Sequence, residues 1–181
     1  MSCAVDLSEQ FEEFFGSTGA PKLFDTLEQL EETLDQFQQL FGAVYRIRST
    51  EYNVGTPRRR VYICTRRGQP LKPSRGIRKK PSGQTGCGSI INANRTDDGY
   101  FRVTKFTMIH NHQVDPLSAK HEPSRRRLSK SEASAILPLL LSGISSNQLR
   151  QYVTMHFDKD LTSRDICNMR SKYTVNDNSS M

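Results

Sequence analysis

Four residues of types that commonly bind metal ions lie in the middle of the chain, and they constrain its fold more than any other feature. They are Cys64, Cys87, His110 and His112. Twenty-two residues separate the first from the second, twenty-two the second from the third, and one the third from the fourth. Two thiols and two imidazoles are the usual ligands of a structural zinc site. Because the gaps are long, such a site requires strand pairing to bring its ligands together.

The spacing alone leaves two alternatives open. In the first, Cys64 and Cys87 form a disulfide. The opening residues lack a basic start followed by an apolar run, and no later stretch approaches the roughly 20 apolar residues of a membrane span. We therefore expect a soluble protein in a reducing compartment, where disulfides are rare. In the second alternative there is no metal, and the residues are two half-buried cysteines and a surface His-Asn-His tripeptide.

The charge of the chain is unevenly distributed. The net charge is +7, but residues 1–42 carry −8, residues 43–128 carry +14, and residues 129–181 carry +1. The whole basic excess therefore surrounds the candidate ligands, which favours a polyanion as the partner of this region.

An amphipathic helix is predicted over residues 26–41. Its apolar positions recur at helical spacing, Asp25 or Thr26 can cap its start, and Gly42 can end it. The apolar positions are Leu27, Leu30, Leu34, Phe37, Leu40 and Phe41. Because its other face is acidic and would repel phosphate, the helix should pack on the side of the domain away from any nucleic acid.

Period-two alternation predicts four short strands. They cover about residues 43–51, 59–65, 87–94 and 99–108, and Asp98-Gly99 is a good hairpin turn between the last two. No helical crossover separates the strands, so they should be antiparallel. The expected fold class is α+β, with the N-terminal helix packed on a four-stranded antiparallel sheet that zinc would hold together, followed by a small C-terminal helical segment.

The central segment resembles a known family. The stretches CTRRG, TGCGSIINAN and DGYFRVTKFTMIHNHQVDP resemble the zinc-binding DNA-binding domain of far-red-impaired-response regulators and Mutator-like transposases, within the wider WRKY and glial-cells-missing group. The resemblance covers about residues 22–116, and it implies that Cys64, Cys87, His110 and His112 bind zinc. The WRKYG motif is absent, so the DNA-reading residues of that branch cannot be transferred. If the resemblance extends to the transposases, we expect their catalytic acidic domain to be missing from this chain.

The resulting domain organisation has five parts. We expect a flexible acidic N-terminus (1–21), the zinc-binding DNA-binding domain (22–116), a basic linker (117–128), a helical segment (129–173) and a disordered tail (174–181). Within the helical segment, helices are predicted at about 130–142, 146–156 and 163–172. The last two should form a hairpin, in which Leu149, Tyr152 and Val153 face Leu161, Ile166 and Met169.

The expected function is sequence-specific binding of double-stranded DNA in the nucleus, with protein partners at the C-terminal helices. Basic residues on the second strand and the following loop are the expected DNA contacts. They are Arg58, Arg59, Arg60, Arg66, Arg67, Arg75, Arg78, Lys79 and Lys80. The alternatives are a zinc-stabilised nuclear protein-interaction module and an RNA binder. No arrangement of catalytic residues stands out, so we expect no enzyme, and Cys3, Cys167, His121 and His156 are not expected to bind metal.

Overall fold

The computed structural model describes residues 4–69 and 83–177. The chain divides between Ala119 and Lys120 into two compact units, which we call the sheet unit and the helical unit. This division falls inside the segment 117–128 that we predicted to be a linker. Among the described residues, no helix is long and apolar enough to cross a membrane.

The sheet unit begins with a short strand and a helix. Strand β1 (Val5–Asp6) leads into helix α1 (Ser8–Phe15). Phe11 and Phe15 are fully buried on its inner face, where their rings stack at a centroid distance of 4.4 Å. Our expectation of a flexible N-terminus is therefore wrong for these residues, because large aromatic side chains anchor the helix to the core.

Helix α2 (Leu27–Phe41) has the bounds and caps that the sequence indicates. The Thr26 side chain accepts a hydrogen bond from the Gln29 N–H at 3.2 Å, which satisfies one of the free donors at the helix start. Gly42 ends the helix with a φ of 74°, and a Cβ at this position would collide with the backbone of Asp115 and Pro116. Glycine is therefore required there for both conformation and space.

Four antiparallel strands form the sheet in the order β2-β3-β4-β5. They are β2 (Tyr45–Asn53), β3 (Thr56–Cys64), β4 (Ile90–Arg95) and β5 (Phe101–Thr107). The order follows the sequence, so the α+β class and the antiparallel sheet are confirmed. A separate two-stranded ladder pairs β1 with β6 (Ile109–His110), placing Val5 opposite His110.

The strand register assigns side chains to the two faces of the sheet. Tyr62 and Cys64 of β3 share one face with Ile91 of β4, and these residues belong to the same core cluster as Leu30 and Phe37 of α2. Val61 and Ile63 point to the opposite face. The core of the sheet unit therefore lies between one sheet face and the helices α1 and α2, as the alternating pattern predicts.

Helix α3 (Pro116–Lys120) lies almost wholly in the sheet unit, because four of its five residues precede the division. Among the described residues, the helical unit contains four further helices, α4 (Pro123–Arg126), α5 (Lys130–Leu141), α6 (Ser146–Phe157) and α7 (Ser163–Asp177). Leu149 and Val153 of α6 share a buried cluster with Leu161 and Ile166, with Tyr152 and Met169 packed against it, so the predicted hairpin contacts are confirmed. Helix α5 also contributes to this cluster, and α7 continues through residues 174–177, which we had assigned to a disordered tail.

Candidate metal centre and nucleic-acid interface

The four candidate ligands meet at one end of the sheet. Cys64 ends β3, Cys87 precedes β4, His110 ends β6, and His112 follows two residues later. One ligand atom from each residue lies within 4.8 Å of the other three. Strand pairing therefore brings together residues that are far apart in the sequence, as the long gaps required.

Three of the distances within the cluster are close to those of a tetrahedral metal site. Cys64 Sγ lies 3.2 Å from His112 Nε2, Cys87 Sγ lies 3.5 Å from His110 Nδ1, and the two inner histidine nitrogens are 3.4 Å apart. Ligands at bond lengths of about 2.0–2.3 Å around a tetrahedral ion would be separated by about 3.3–3.8 Å. The cluster is therefore of the right size to hold one metal ion.

A chain of hydrogen bonds fixes the tautomer of His110. The Ser89 hydroxyl donates to the Thr107 carbonyl at 2.8 Å, so at 2.7 Å it must accept from the Tyr45 hydroxyl. The single Tyr45 proton is directed at Ser89 and at the weaker acceptor Met108 Sδ, 3.2 Å away, so the Tyr45 oxygen accepts in turn from His110 Nε2–H at 3.1 Å. The proton of His110 is therefore held on Nε2, and the lone pair of Nδ1 points toward the cluster.

His112 directs its other ring nitrogen, Nε2, toward the cluster, and this nitrogen also carries a lone pair. Its Nδ1 lies 2.8 Å from the backbone carbonyl of Gln113, which can only accept a hydrogen bond. Its Nε2 therefore carries the lone pair that faces Cys64. Both imidazoles thus present an unprotonated nitrogen to the centre, and outer hydrogen bonds of this kind are typical of histidines that bind metal ions.

Burial favours the neutral forms of Cys64 and His110. Cys64, Cys87 and His110 are buried. Burial raises the pKa of the Cys64 thiol to about 12, and burial together with the neighbouring His112 lowers the pKa of His110 to about 4. The imidazole is therefore neutral at neutral pH, as a metal ligand must be. A buried thiolate is unfavourable without a compensating charge, and a bound metal ion would supply that charge.

The five described arginines of our DNA-contact prediction do not form a single surface. Arg59 and Arg60 are neighbours on β3 and therefore point to opposite faces of the sheet. Arg60 points to the helix side, where its guanidinium lies 2.7 Å from Glu31 and its side chain is only 15% exposed. Arg58 is exposed near the opposite end of the strand from Cys64.

The other two described arginines lie beside the four candidate ligands. The backbone N–H of Arg66 lies 3.4 Å from Cys64 Sγ, and the guanidinium of Arg67 donates to the Gly88 carbonyl. The remaining four predicted contacts lie outside the described residues, so no position is assigned to them. They are Arg75, Arg78, Lys79 and Lys80.

Sequence reasoning missed a group of basic residues on the sheet face opposite α2. The register places Arg46 beside Ile63, Arg102 beside Asn94 and Lys105 beside Asn92, all on the face that also carries Arg59. Arg46, Arg102 and Lys105 are exposed, and the Arg59 side chain is 43% exposed and lies 3.3 Å from the Glu51 carboxylate on the same face. We call these four residues the basic face. The alternation along each strand could have indicated it, but only the register places the four together.

The opposite side of the sheet unit is acidic. The outward surface of α2 carries Glu28, Glu31, Glu32 and Asp35 close together. Its inward surface packs on the sheet, so the two sides of the unit carry opposite charge. An approaching polyanion would be repelled by the helix side and attracted by the basic face.

The sheet unit is a small antiparallel sheet with helices on one face and a buried cluster of two cysteines and two histidines. These features define a class of small domains that a metal ion can stabilise. Residues 35–116 match the family model of the FAR1 DNA-binding domain. The match begins within α2 and contains the whole sheet and all four candidate ligands. It supports the far-red-impaired-response and Mutator-like family for this segment, and DNA as its partner. No curated protein and no solved structure matched the chain.

Proposed function

We propose that this chain is a zinc-dependent, sequence-specific DNA-binding protein of the nucleus, either a transcription-factor-like regulator or a derivative of a transposase. The observation that supports it best is the buried cluster of two cysteines and two histidines inside the segment that matches a DNA-binding family. The wider grouping with WRKY and glial-cells-missing zinc fingers, and the absence of catalysis, are parts of the same proposal.

The proposed zinc ligands are Cys64 Sγ, Cys87 Sγ, His110 Nδ1 and His112 Nε2. Two thiolates and two neutral imidazoles would balance the charge of Zn²⁺, and this ligand set is common in structural zinc sites. Bound zinc would supply a fixed link between the end of β3, the start of β4 and the end of β6. The role is structural, because all four positions of a tetrahedral ion are taken by protein side chains.

The proposed DNA interface is the basic face together with the basic residues that follow β3 in the sequence. Arg46, Arg59, Arg102 and Lys105 would contact phosphates, and Arg66, Arg67, Arg75, Arg78, Lys79 and Lys80 would extend the contact along the backbone. Arg58 is exposed and free to turn toward a base edge. Arg60 is a weaker candidate than the sequence indicated, because DNA would have to compete with its ion pair to Glu31.

Salt dependence tests this interface directly. A protein that neutralises about five phosphates should show log affinity for duplex DNA falling against log salt with a slope of about −4.5. Changing Arg46, Arg102 and Lys105 together to Ala should flatten the slope by about 2.7. The matched control changes Lys22, Lys120 and Lys130 to Ala, which removes the same charge elsewhere on the exposed surface. Equal effects of the two triple variants would contradict the basic face as the interface.

The alternative function is a zinc-stabilised nuclear protein-interaction module whose basic residues serve nuclear import. The helical unit lies outside the matched segment and has its own buried cluster, so it could act as a separate body for partners. The two functions predict different salt dependences of DNA binding for the unmodified protein. A salt slope near zero with duplex DNA would exclude the DNA-binding function and favour the alternative.

A further inference from the structure

An open groove of about 370 Å³ crosses the surface of the helical unit between α4, the start of α5 and α7. Leu161 is buried beneath it, and Leu128, Met169 and Tyr173 line it while also packing against the buried cluster of the unit. Its floor is therefore an exposed continuation of the core. A groove of this size can accept one or two large side chains.

Basic side chains line the groove beside this apolar floor. Arg127 and Lys172 are exposed, and Arg126 lies in the wall with its Nε 3.3 Å from Asp165 Oδ2. Asp165 is the one acid among the described residues that line the groove, so the lining carries an excess of positive charge. A ligand with carboxylates next to an apolar side chain would complement both features.

We propose that this groove binds an acidic peptide segment of a partner protein, with one large apolar side chain on the floor and flanking carboxylates near Arg127 and Lys172. Met169 suits such a floor, because its flexible thioether can adjust to side chains of different shape. Tyr173 offers a large and rigid contact surface of the kind that contributes strongly to interfaces. The proposal is independent of DNA binding, because every residue that carries it belongs to the helical unit.

A peptide fits this surface better than a second nucleic-acid contact does. Phosphate recognition requires basic and polar groups on an accessible surface and gains little from a recessed apolar floor. Here the floor presents apolar surface of Leu128, Met169 and Tyr173. Contact with a duplex would leave that area uncovered, whereas an apolar anchor would remove it from water.

The test is a selection of random peptides displayed on phage against the full-length protein. We expect the enriched peptides to carry Asp or Glu around a Leu, Ile or Phe. Ala133→Phe adds a ring to a residue that lines the groove, whereas Ala135→Phe adds the same ring to an exposed position of the same helix outside it. By anisotropy with the best labelled peptide, the first change should weaken binding about tenfold or more, and the second should leave it within about twofold.

Charge reversal provides a second comparison that does not depend on repacking the floor. Lys172→Glu and Arg164→Glu both alter exposed residues of α7, but only Lys172 lines the groove. The first should weaken the acidic peptide several-fold, and the second should have little effect. If no enriched peptide responds to Ala133→Phe or Lys172→Glu, the groove is not a peptide site. If Lys172→Glu weakens a labelled DNA duplex and not the peptide, the surface contacts nucleic acid and the proposal is wrong.

Discussion

The sheet unit and the helical unit both enclose an apolar cluster, but they differ in the polar side chains and thiols that are buried beside it. Among the described residues, the buried polar side chains Gln38, Ser89 and His110 all belong to the sheet unit, and two buried thiols lie close to His110. The helical unit buries aliphatic side chains and satisfies its helix ends with capping boxes at Ser129 and Ser145.

The difference indicates what each unit requires in order to fold. Apolar packing and local caps need nothing from outside the chain, so the helical unit should be stable in any buffer that keeps proteins folded. A buried group of metal-binding side chains is costly unless its charges and lone pairs are satisfied. The sheet unit should therefore depend on an ion, and the following experiments test that contrast.

Removal of the metal should produce the largest difference between the units. A structural zinc site of this kind contributes on the order of 10 kcal/mol to folding, so Cys64→Ser or a strong chelator should unfold the sheet unit. The amide NMR signals of α5, α6 and α7 should persist. Cys167→Ser is the matched control, because this cysteine is exposed in the helical unit. A folded sample that contains no zinc would contradict the proposal.

Truncation of an aromatic side chain in α1 should rank second. Phe11 is fully buried and contacts the rings of Phe15 and Phe37. Phe11→Ala should lower the free energy of unfolding of the sheet unit by about 3–5 kcal/mol, measured by denaturant titration of the zinc-loaded protein. Leu23→Ala, at a residue that is 54% exposed, should change it by no more than about 0.5 kcal/mol. Similar values for the two changes would mean that α1 does not belong to the core.

Removal of one hydroxyl should separate metal affinity from general packing. Tyr45→Phe leaves His110 Nε2–H without its acceptor and should weaken zinc binding about 10–100-fold, as measured by competition with a chelating dye. Tyr62→Phe removes a hydroxyl that donates to Glu31, away from the cluster, and should leave zinc affinity unchanged. Equal losses in both variants would refute the role of Tyr45 in orienting His110.

The smallest expected effect concerns the helical unit alone. The Ser145 side chain accepts from the Gln148 N–H at 3.2 Å at the start of α6. Ser145→Ala should destabilise the helical unit by about 1 kcal/mol, and by the same amount with and without a chelator. Ser134→Ala, within α5, is the control, because it removes a serine that is not a helix cap. If the effect of Ser145→Ala depended on metal, the two units would not be energetically separate.

The sequence predicted the features that depend on neighbouring residues. The bounds of α2 were correct to within one residue because Thr26 and Gly42 act on the helix locally. The four strands were predicted because alternation is a local pattern. The candidate ligands were found because two cysteines and two histidines are the usual ligand set of a structural zinc site. Whether they bind zinc stays a prediction.

The features that were missed depend on strand register and on packing between distant segments. Tyr45, Ser89 and His110 are far apart in the sequence, so their hydrogen-bonded chain is visible only once the strands are paired. The same holds for the basic face and for the ion pair between Arg60 and Glu31. Burial of α1 was missed because its short sequence is acidic. Its phenylalanines indicate burial only once the core surface that they cover is known.

The pairing of β1 with β6 has a practical consequence for the choice of expression boundaries. Val5 lies opposite His110, and the Leu7 N–H donates to the Met108 carbonyl at 3.2 Å. A fragment trimmed to the matched range 35–116 would lose this ladder, all of α1 and the first half of α2. Such a fragment would retain every cysteine and histidine of the cluster and still lack the backbone that supports one of them. Tags and truncations at the N-terminus therefore act close to the candidate metal centre, although Val5 and His110 are 105 positions apart in the sequence.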